Sequence, residues 1–263
     1  MLSNQMNILL IGDIVGKPGR EAMAKLLPEI ISREDISLVI ANGENASGGS
    51  GLGPKASEQL FRYGVDVITS GDHIFKRRET LTIIDNPYIL RPANLPPLAR
   101  GKGSCLIEKN GVKFGVLNLQ GRVFMPSLDC PFRAAEQAIE RLSRETKIIL
   151  VDMHAEATSE KIALSFFLDG RVSAAVGTHT HVQTADEKIL EGGTAYITDL
   201  GMTGPCLSVI GRERDKVIHK FVTGMPSRFN VASQGVELQG VVVSVDENSG
   251  RARGIKRIRV KAD

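Results

Sequence analysis

The feature that most constrains this chain is the way short, continuous apolar runs alternate with amphipathic stretches. NILLI (7–11), SLVIA (37–41) and VDVIT (65–69) are runs too short for helices. Between them, residues 21–32 place Ala22, Met23, Leu26, Leu27 and Ile30 at helical spacing, and residues 55–63 repeat that pattern. Buried strands separated by amphipathic helices describe βαβ units and a largely parallel sheet. KFGVLNL (113–119), a helical stretch at 132–145 and KIILV (147–151) continue the alternation. Further strands are expected at 173–176, 195–198, 236–245 and 255–260. The last two flank DENSG, a turn sequence, so the C-terminal part is expected to be antiparallel.

No linker rich in Pro, Gly or Ser interrupts the 263 residues, and one α/β domain over 1–263 is the simplest organisation, with residues 1–5 a frayed extension. A net charge of +3 is too small to argue for nucleic acid or membrane as a partner. Cys105, Cys130 and Cys206 are odd in number and form no C-x-x-C pair, which argues against a disulfide framework or structural zinc and suits a reducing compartment. No apolar run reaches the roughly 18 residues of a membrane span, and the N-terminus has no basic leader. The expected location is the cytoplasm.

The polar residues just beyond each apolar run carry the chemistry. NILLIG leads to Asp13, SLVIANG to Glu44 and Asn45, and VDVITSG to Asp72 and His73. KIILVDM leads to His154, and SAAVGT to His179 and His181. Ligands of open α/β sheets bind outside the carboxyl ends of the strands, so parallel neighbours would gather these groups. Four of the five histidines fall in these positions; His219 lies in an amphipathic stretch and reads as structural. Gly12, Gly43, Gly71 and Gly177 stand just before the polar groups, where a sharp turn and close approach are needed. A nitrogen and oxygen ligand set suits iron, manganese, zinc or cobalt. There are enough ligands for two ions, which about 3.5–4 Å apart generate hydroxide and clamp both oxygens of an in-line phosphoryl displacement.

GDIVG (12–16), NGEN (42–45), GDH (71–73), MHAE (153–156) and GTHTH (177–181) resemble, in order, the motifs of the calcineurin-like metallophosphoesterases. Val15 replaces a histidine of the general pattern, and Glu44-Asn45 replaces its bridging aspartate. Both departures resemble the YmdB-like subgroup, as do LRPANLP (90–96), NLQGR (118–122), HAEATSEK (154–161), GTHTHVQTAD (177–186) and ITDLGMTGP (197–205).

The resemblance implies a sandwich of two mixed β-sheets flanked by α-helices. It also implies a 2′,3′-cyclic-nucleotide 2′-phosphodiesterase with a di-iron centre, manganese or zinc being alternatives, and attack by a metal-bound hydroxide. One metal would take Asp13, Glu44, Asn45 and His181. The other would take Glu44 as bridge, with Asp72, His154 and His179. His73 would give a proton to the leaving oxygen. One position departs from the subgroup: Asp72 stands where its third motif has asparagine, which bears on metal preference and pH optimum.

The expected partner is a small cyclic nucleotide, 3′,5′-cyclic AMP being a further candidate, in a homo-oligomer; neither DNA nor a membrane is expected. A general phosphomonoesterase and an RNA-binding regulator with a vestigial metal site are the alternatives. RNA would use Arg257, Arg259 and Lys261, which alternate with apolar residues along one strand face. Residues 46–53 (ASGGSGLG) are expected to form a mobile loop at the site mouth, or an inert linker.

Overall fold

The computed structural model describes residues 5–262; Met1–Asn4 of the expected frayed extension lie outside them, and Gln5 already opens the first strand. The strands are β1 (Gln5–Ile11), β2 (Asp13–Ile14), β3 (Ile36–Asn42), β4 (Val67–Thr69), β5 (Ser104–Lys109), β6 (Val112–Gln120), β7 (Ile149–His154), β8 (Ala174–Thr178), β9 (Lys188–Ile189), β10 (Ala195–Ile197), β11 (Met202–Pro205), β12 (Val236–Asp246) and β13 (Ala252–Lys261). The helices are α1 (Gly16–Arg33), α2 (Pro54–Tyr63), α3 (Pro131–Leu142), α4 (Thr158–Leu168) and α5 (Arg214–Thr223).

The strands form two mixed sheets. The first runs β2-β11-β12-β1-β3-β4, with β13 also on β12; the second runs β5-β6-β7-β8-β10-β9. Strands β1, β3 and β4 are parallel, as are β6, β7, β8 and β10. Three apolar clusters define the layers. Leu9, Ile11 and Val39 of the first sheet meet Met23, Leu27, Ile30 and Leu60 of α1 and α2. Ile8, Leu10, Leu38 and Ile40 face across to Phe114, Val116, Leu150 and Val176 of the second sheet. Leu117, Leu119 and Val151 then meet Ala135, Ile139, Leu164 and Leu168 of α3 and α4. Successive strand residues point to opposite faces, and here both faces are covered, which is why the runs are continuously apolar rather than alternating. Each such Leu, Ile or Val stabilises the fold by roughly 1.5–3 kcal/mol. The architecture is the α/β sandwich expected from the sequence.

Helix boundaries follow local chemistry. Pro54 opens α2 at a position whose N–H has no helical partner, and Gly64, at φ 107°, closes it in the left-handed conformation. α1 begins at Gly16, earlier than the apolar periodicity suggests. Its first turn packs backbone against β11: a Cβ on Gly19 would lie 2.3 Å from the Thr203 carbonyl oxygen, so no large apolar residue fits there. The β12–β13 hairpin is antiparallel as expected. Its turn is built by Asp246, whose Oδ1 accepts from the Ser249 backbone N–H (2.9 Å) and hydroxyl (2.7 Å). β5, α4, α5 and the short strands β2, β9 and β11 are not foreseen by the sequence reading.

Two surface expectations meet plain outcomes. Arg257 pairs with Glu187, Arg259 with Glu237, Lys256 with Glu34 and Arg253 with Asp246, so much of the basic charge on β13 is compensated locally. Residues 46–53 are clamped rather than free. Arg20 donates to the Ala46 carbonyl, Arg77 Nε to those of Ser47 (3.1 Å) and Ser50 (3.0 Å), and Arg212 to that of Gly49. Among the described residues no helix is long and apolar enough to cross a membrane, and all three cysteines are free.

Candidate metal centre

The parallel strands of both sheets end at one edge of the sandwich, and the polar groups beyond them converge there. Glu44, Asp72, His154 and His179 each offer a ligand atom, and these four atoms lie within 4.8 Å of one another. His154 Nε2 is 3.1 Å from Glu44 Oε1 and 3.4 Å from Asp72 Oδ1. His179 Nδ1 is 3.0 Å from His154 Nε2 and 3.7 Å from Asp72 Oδ1. Beside this cluster, His181 Nε2 lies 3.5 Å from Asp13 Oδ1, and the Asn45 amide nitrogen is 3.2 Å from both and 3.3 Å from Glu44 Oε1. All seven residues expected as ligands are therefore contiguous, with the Glu44 carboxylate between the two groups. As placed, Asn45 turns its NH2 toward these acceptors; ligation through its oxygen requires the amide to flip.

His73 sits at the rim, with its side chain 29% exposed. Its backbone N–H donates to Glu44 Oε2 at 2.9 Å, and its Nδ1 lies 2.8 Å from Asn45 Oδ1. Since an amide oxygen only accepts, Nδ1 carries the proton in that contact.

The fit of this cluster to a metal ion rests on its unmet needs. Asp72 Oδ1 is buried and has no hydrogen-bond partner. His154 and Glu44 are almost wholly buried, where a charge is costly unless it is compensated. Burial disfavours a charged His154, yet Glu44, Asp72 and Asp13 together raise its pKa well above the ordinary value. Burial likewise pushes the Asp72 carboxyl up, but the neighbouring His154 and the charge of His73 hold it down at about 2. Asp13 is lowered further still: burial raises it, and His181, His154 and the His179 N–H more than offset that. Burial and the neighbouring His154 charge lower His179, which favours its neutral imidazole, the form that can ligate. Without a metal, the carboxylates favour a proton on His154. A divalent cation would satisfy the same carboxylates and the orphaned oxygen at once.

A layer behind the ligands, not foreseen from the sequence, orients them. The Thr178 hydroxyl donates to Asp152 Oδ1 (2.7 Å) and lies 2.9 Å from His154 Nδ1, which leaves Nε2 as the nitrogen free to ligate. Asn42 Nδ2 and the Thr69 hydroxyl donate to Asp152 Oδ2. Burial raises the Asp152 carboxyl to about 6. The signal was present: Asp152 interrupts a buried apolar run two residues before His154, on the same strand face. His154 itself ends β7 rather than lying in the loop beyond it. Gly71 is required by this packing, since a Cβ there would fall 1.9 Å from His154 Cδ2. His179 (φ 103°) and His181 (φ 63°) both occupy the left-handed region, uncommon for residues with a Cβ.

Residues 9–258 match the YmdB-like protein family. A Bacillus subtilis (strain 168) protein named 2′,3′-cyclic-nucleotide 2′-phosphodiesterase is 46% identical over 259 residues, 98% of each chain. A crystal structure from Mycoplasma pneumoniae, described as a novel phosphatase, superposes with a TM-score of 0.93 at 36% identity, over 99% of this chain and 95% of that one. The fold alone extends to a 5′-nucleotidase precursor from Thermus thermophilus, with a TM-score of 0.60 at 12% identity over 98% of this chain and 54% of that one. With a candidate metal-ligand cluster at the strand ends of a two-sheet sandwich and a family match across nearly its whole length, the chain belongs to the YmdB-like protein family.

Proposed function

We propose that this chain is a dinuclear metal-dependent phosphodiesterase that opens 2′,3′-cyclic nucleotides. The observation that carries the reading is the half-buried Glu44, Asp72, His154 and His179 cluster with its orphaned Asp72 oxygen, joined through Glu44 to Asp13, Asn45 and His181. The name of the 46% identical Bacillus subtilis relative supports the substrate class. Iron is the first candidate for the metal, with manganese and zinc compatible with the same nitrogen and oxygen donors. Bound ions would lower the pKa of an attacking water and offset the charge on the phosphoryl oxygens.

The chain's own residues do the rest. Glu44 spans both groups of ligands, and Asp152 with Thr178 holds the His154 ring in its ligating tautomer. Water adds to phosphorus, the bond from phosphorus to O2′ breaks, and O2′ takes a proton, leaving the 3′-phosphate. His73 is assigned the proton. Its Nδ1 is tied to Asn45, its backbone to Glu44, and Nε2 of its partly exposed ring lies 3.5 Å from Asp72 Oδ2. Such a donor is worth about 10²–10⁴ in rate.

The test is metal analysis of anaerobically purified protein followed by turnover of 2′,3′-cyclic AMP, 3′,5′-cyclic AMP, p-nitrophenyl phosphate and its bis-ester. Two metals per chain and fastest turnover of the 2′,3′-cyclic substrate are expected. Faster cleavage of p-nitrophenyl phosphate than of the bis-ester would instead make the chain a phosphomonoesterase. Absence of bound metal and of turnover would sink the enzymatic reading.

A further inference from the structure

The turn that carries His179 and His181 must do two things at once: send one imidazole toward His154 and the other toward Asp13. It does so with both histidines in the left-handed region, a conformation that persists only where the surroundings hold it. Two carboxylates grip its backbone. The His179 N–H donates to Asp13 Oδ2 at 3.1 Å, and the Thr180 N–H donates to Asp199 Oδ2 at 3.1 Å. Asp13 belongs to the candidate metal ligands. Asp199 does not, and the chemistry of the centre gives it no task.

Asp199 is wholly buried, and its Oδ2 also accepts from Lys161 Nζ at 2.7 Å, while its Oδ1 accepts from the Gly201 N–H at 2.8 Å. Lys161 is itself only 2% exposed. It reaches Asp199 from α4, the next helix after His154, with its stem lying over Gly177. A Cβ on that glycine would come within 2.7 Å of Lys161 Cδ and 1.9 Å of the Thr198 carbonyl oxygen. A buried ion pair is a poor route to stability, since a neutral pair of similar shape commonly serves as well or better. A pair kept in this place, bonded to the backbone between two histidines, points to geometry as its purpose.

We propose that the buried Lys161–Asp199 pair is a positioning device that fixes the 178–181 turn and thereby divides His179 and His181 between the two halves of the centre. The lysine fixes the carboxylate and the carboxylate fixes the Thr180 N–H. The turn then cannot relax to the ordinary right-handed or extended conformations that would swing one imidazole away. Neither residue touches substrate or ligates metal. The proposal rests on the metal-centre reading above for its consequences, but the shape of the turn is a property of the chain alone.

The experiment uses the full chain and the Lys161→Met, Asp199→Asn and doubly substituted variants. The double variant removes both charges with little change of shape, and leaves one acceptor oxygen where the N–H groups of Thr180 and Gly201 now have two. It is expected to fold and melt close to wild type. Yet by Mn²⁺ titration of metal-free protein its affinity should weaken about 10–100-fold, as for losing a group that orients ligands, and kcat should fall with little change in KM. A crystal structure of the metal-free double variant should show His179 or His181 out of the left-handed region. If Lys161→Met alone fails to fold, Asp199→Asn and the double variant carry the same readouts. Unchanged Mn²⁺ affinity and kcat, or a turn with both histidines still left-handed and in their present contacts, would overturn the proposal. A wild-type chain that binds no Mn²⁺ and turns over nothing would sink the phosphodiesterase reading, while the crystallographic test of the turn would still decide this one.

Discussion

Around His154 and His179 the candidate ligand atoms crowd one another and one carboxylate oxygen accepts no hydrogen bond, whereas around Asp13 and His181 the candidate ligands already bind each other through the Asn45 amide. A metal entering the first group would relieve buried charge and satisfy an orphan. A metal entering the second would have to displace hydrogen bonds and turn an amide over. Preorganised need favours binding, and hydrogen bonds that must first be broken oppose it. The Glu44–Asp72–His154–His179 group should therefore load first and hold its ion more tightly.

The largest loss should follow from removing the carboxylate that the two groups share. Glu44→Gln should lose at least one metal and reduce turnover on the order of 10³-fold, comparable to removing a main electrostatic stabiliser, with the fold intact by circular dichroism. Full metal occupancy and normal turnover in that variant would deny Glu44 the bridging role. Next in size is His73→Ala, which touches both halves by hydrogen bonds but completes neither. It should keep both metals and lose about 10²-fold on 2′,3′-cyclic AMP, and much less on activated aryl esters, whose leaving groups need no proton. Equal losses on the two substrates would argue against the donor role.

Asp72→Asn probes the first half alone. The carboxyl is held at about 2, so it is anionic at every pH of an ordinary assay, and an anionic ligand opposes ionisation of an attacking water more than a neutral amide does. A unit charge at about 4 Å is worth roughly 4 kcal/mol at a dielectric of 20; a quarter of that moves a pKa by nearly one unit, at about 1.36 kcal/mol per unit. The acidic limb of the pH–kcat curve should shift down by about that much in Asp72→Asn, measured with both proteins saturated with the same metal. An unmoved or upward-shifted limb would contradict it.

The smallest effect concerns the layer behind His154. In metal-free protein Asp152 is raised to about 6 by burial, so between the ordinary carboxylate value and that pH the native state holds a proton that the unfolded chain has released. Stability from this group therefore falls as pH rises through that window. Melting temperatures of metal-free Asp152→Asn and wild type should diverge in the variant's favour from about pH 4 to 6 and run parallel above it. A constant difference across the range would mean that Asp152 ionises normally.

Much of the sandwich was legible because burial on both faces writes itself into strands as continuous apolar runs, as in NILLI and SLVIA. α4 was not, for a physical reason that is also functional. Its buried face includes Glu160 and Lys161, and polar residues at core positions erase the apolar periodicity by which helices are read. Glu160 spends its carboxylate on the N–H groups of Arg122 and Val123, and Lys161 spends its charge on Asp199. The loop at 46–53 misled in the opposite sense: its glycines suggest freedom, but arginines from distant segments tie down its carbonyls.

By itself the sequence determined which residue types stand at the strand ends, because a turn after a buried strand is where a chain can place a polar group without unfolding a core. That made Asp13, Glu44, Asn45, Asp72, His73, His154, His179 and His181 readable one strand at a time. Only the tertiary structure decided how they are shared out. Pairing order brings β3 beside β4 and β7 beside β8, and the stacking of the sheets sets their distances. The buried contacts of Asp152 and Asp199 fix which nitrogen of His154 faces Glu44 and Asp72 and which way the two histidines of one turn diverge. Those contacts join residues dozens of positions apart, and no local pattern encodes them, since hydrogen bonding and burial depend on where the chain returns and not on what lies next in line.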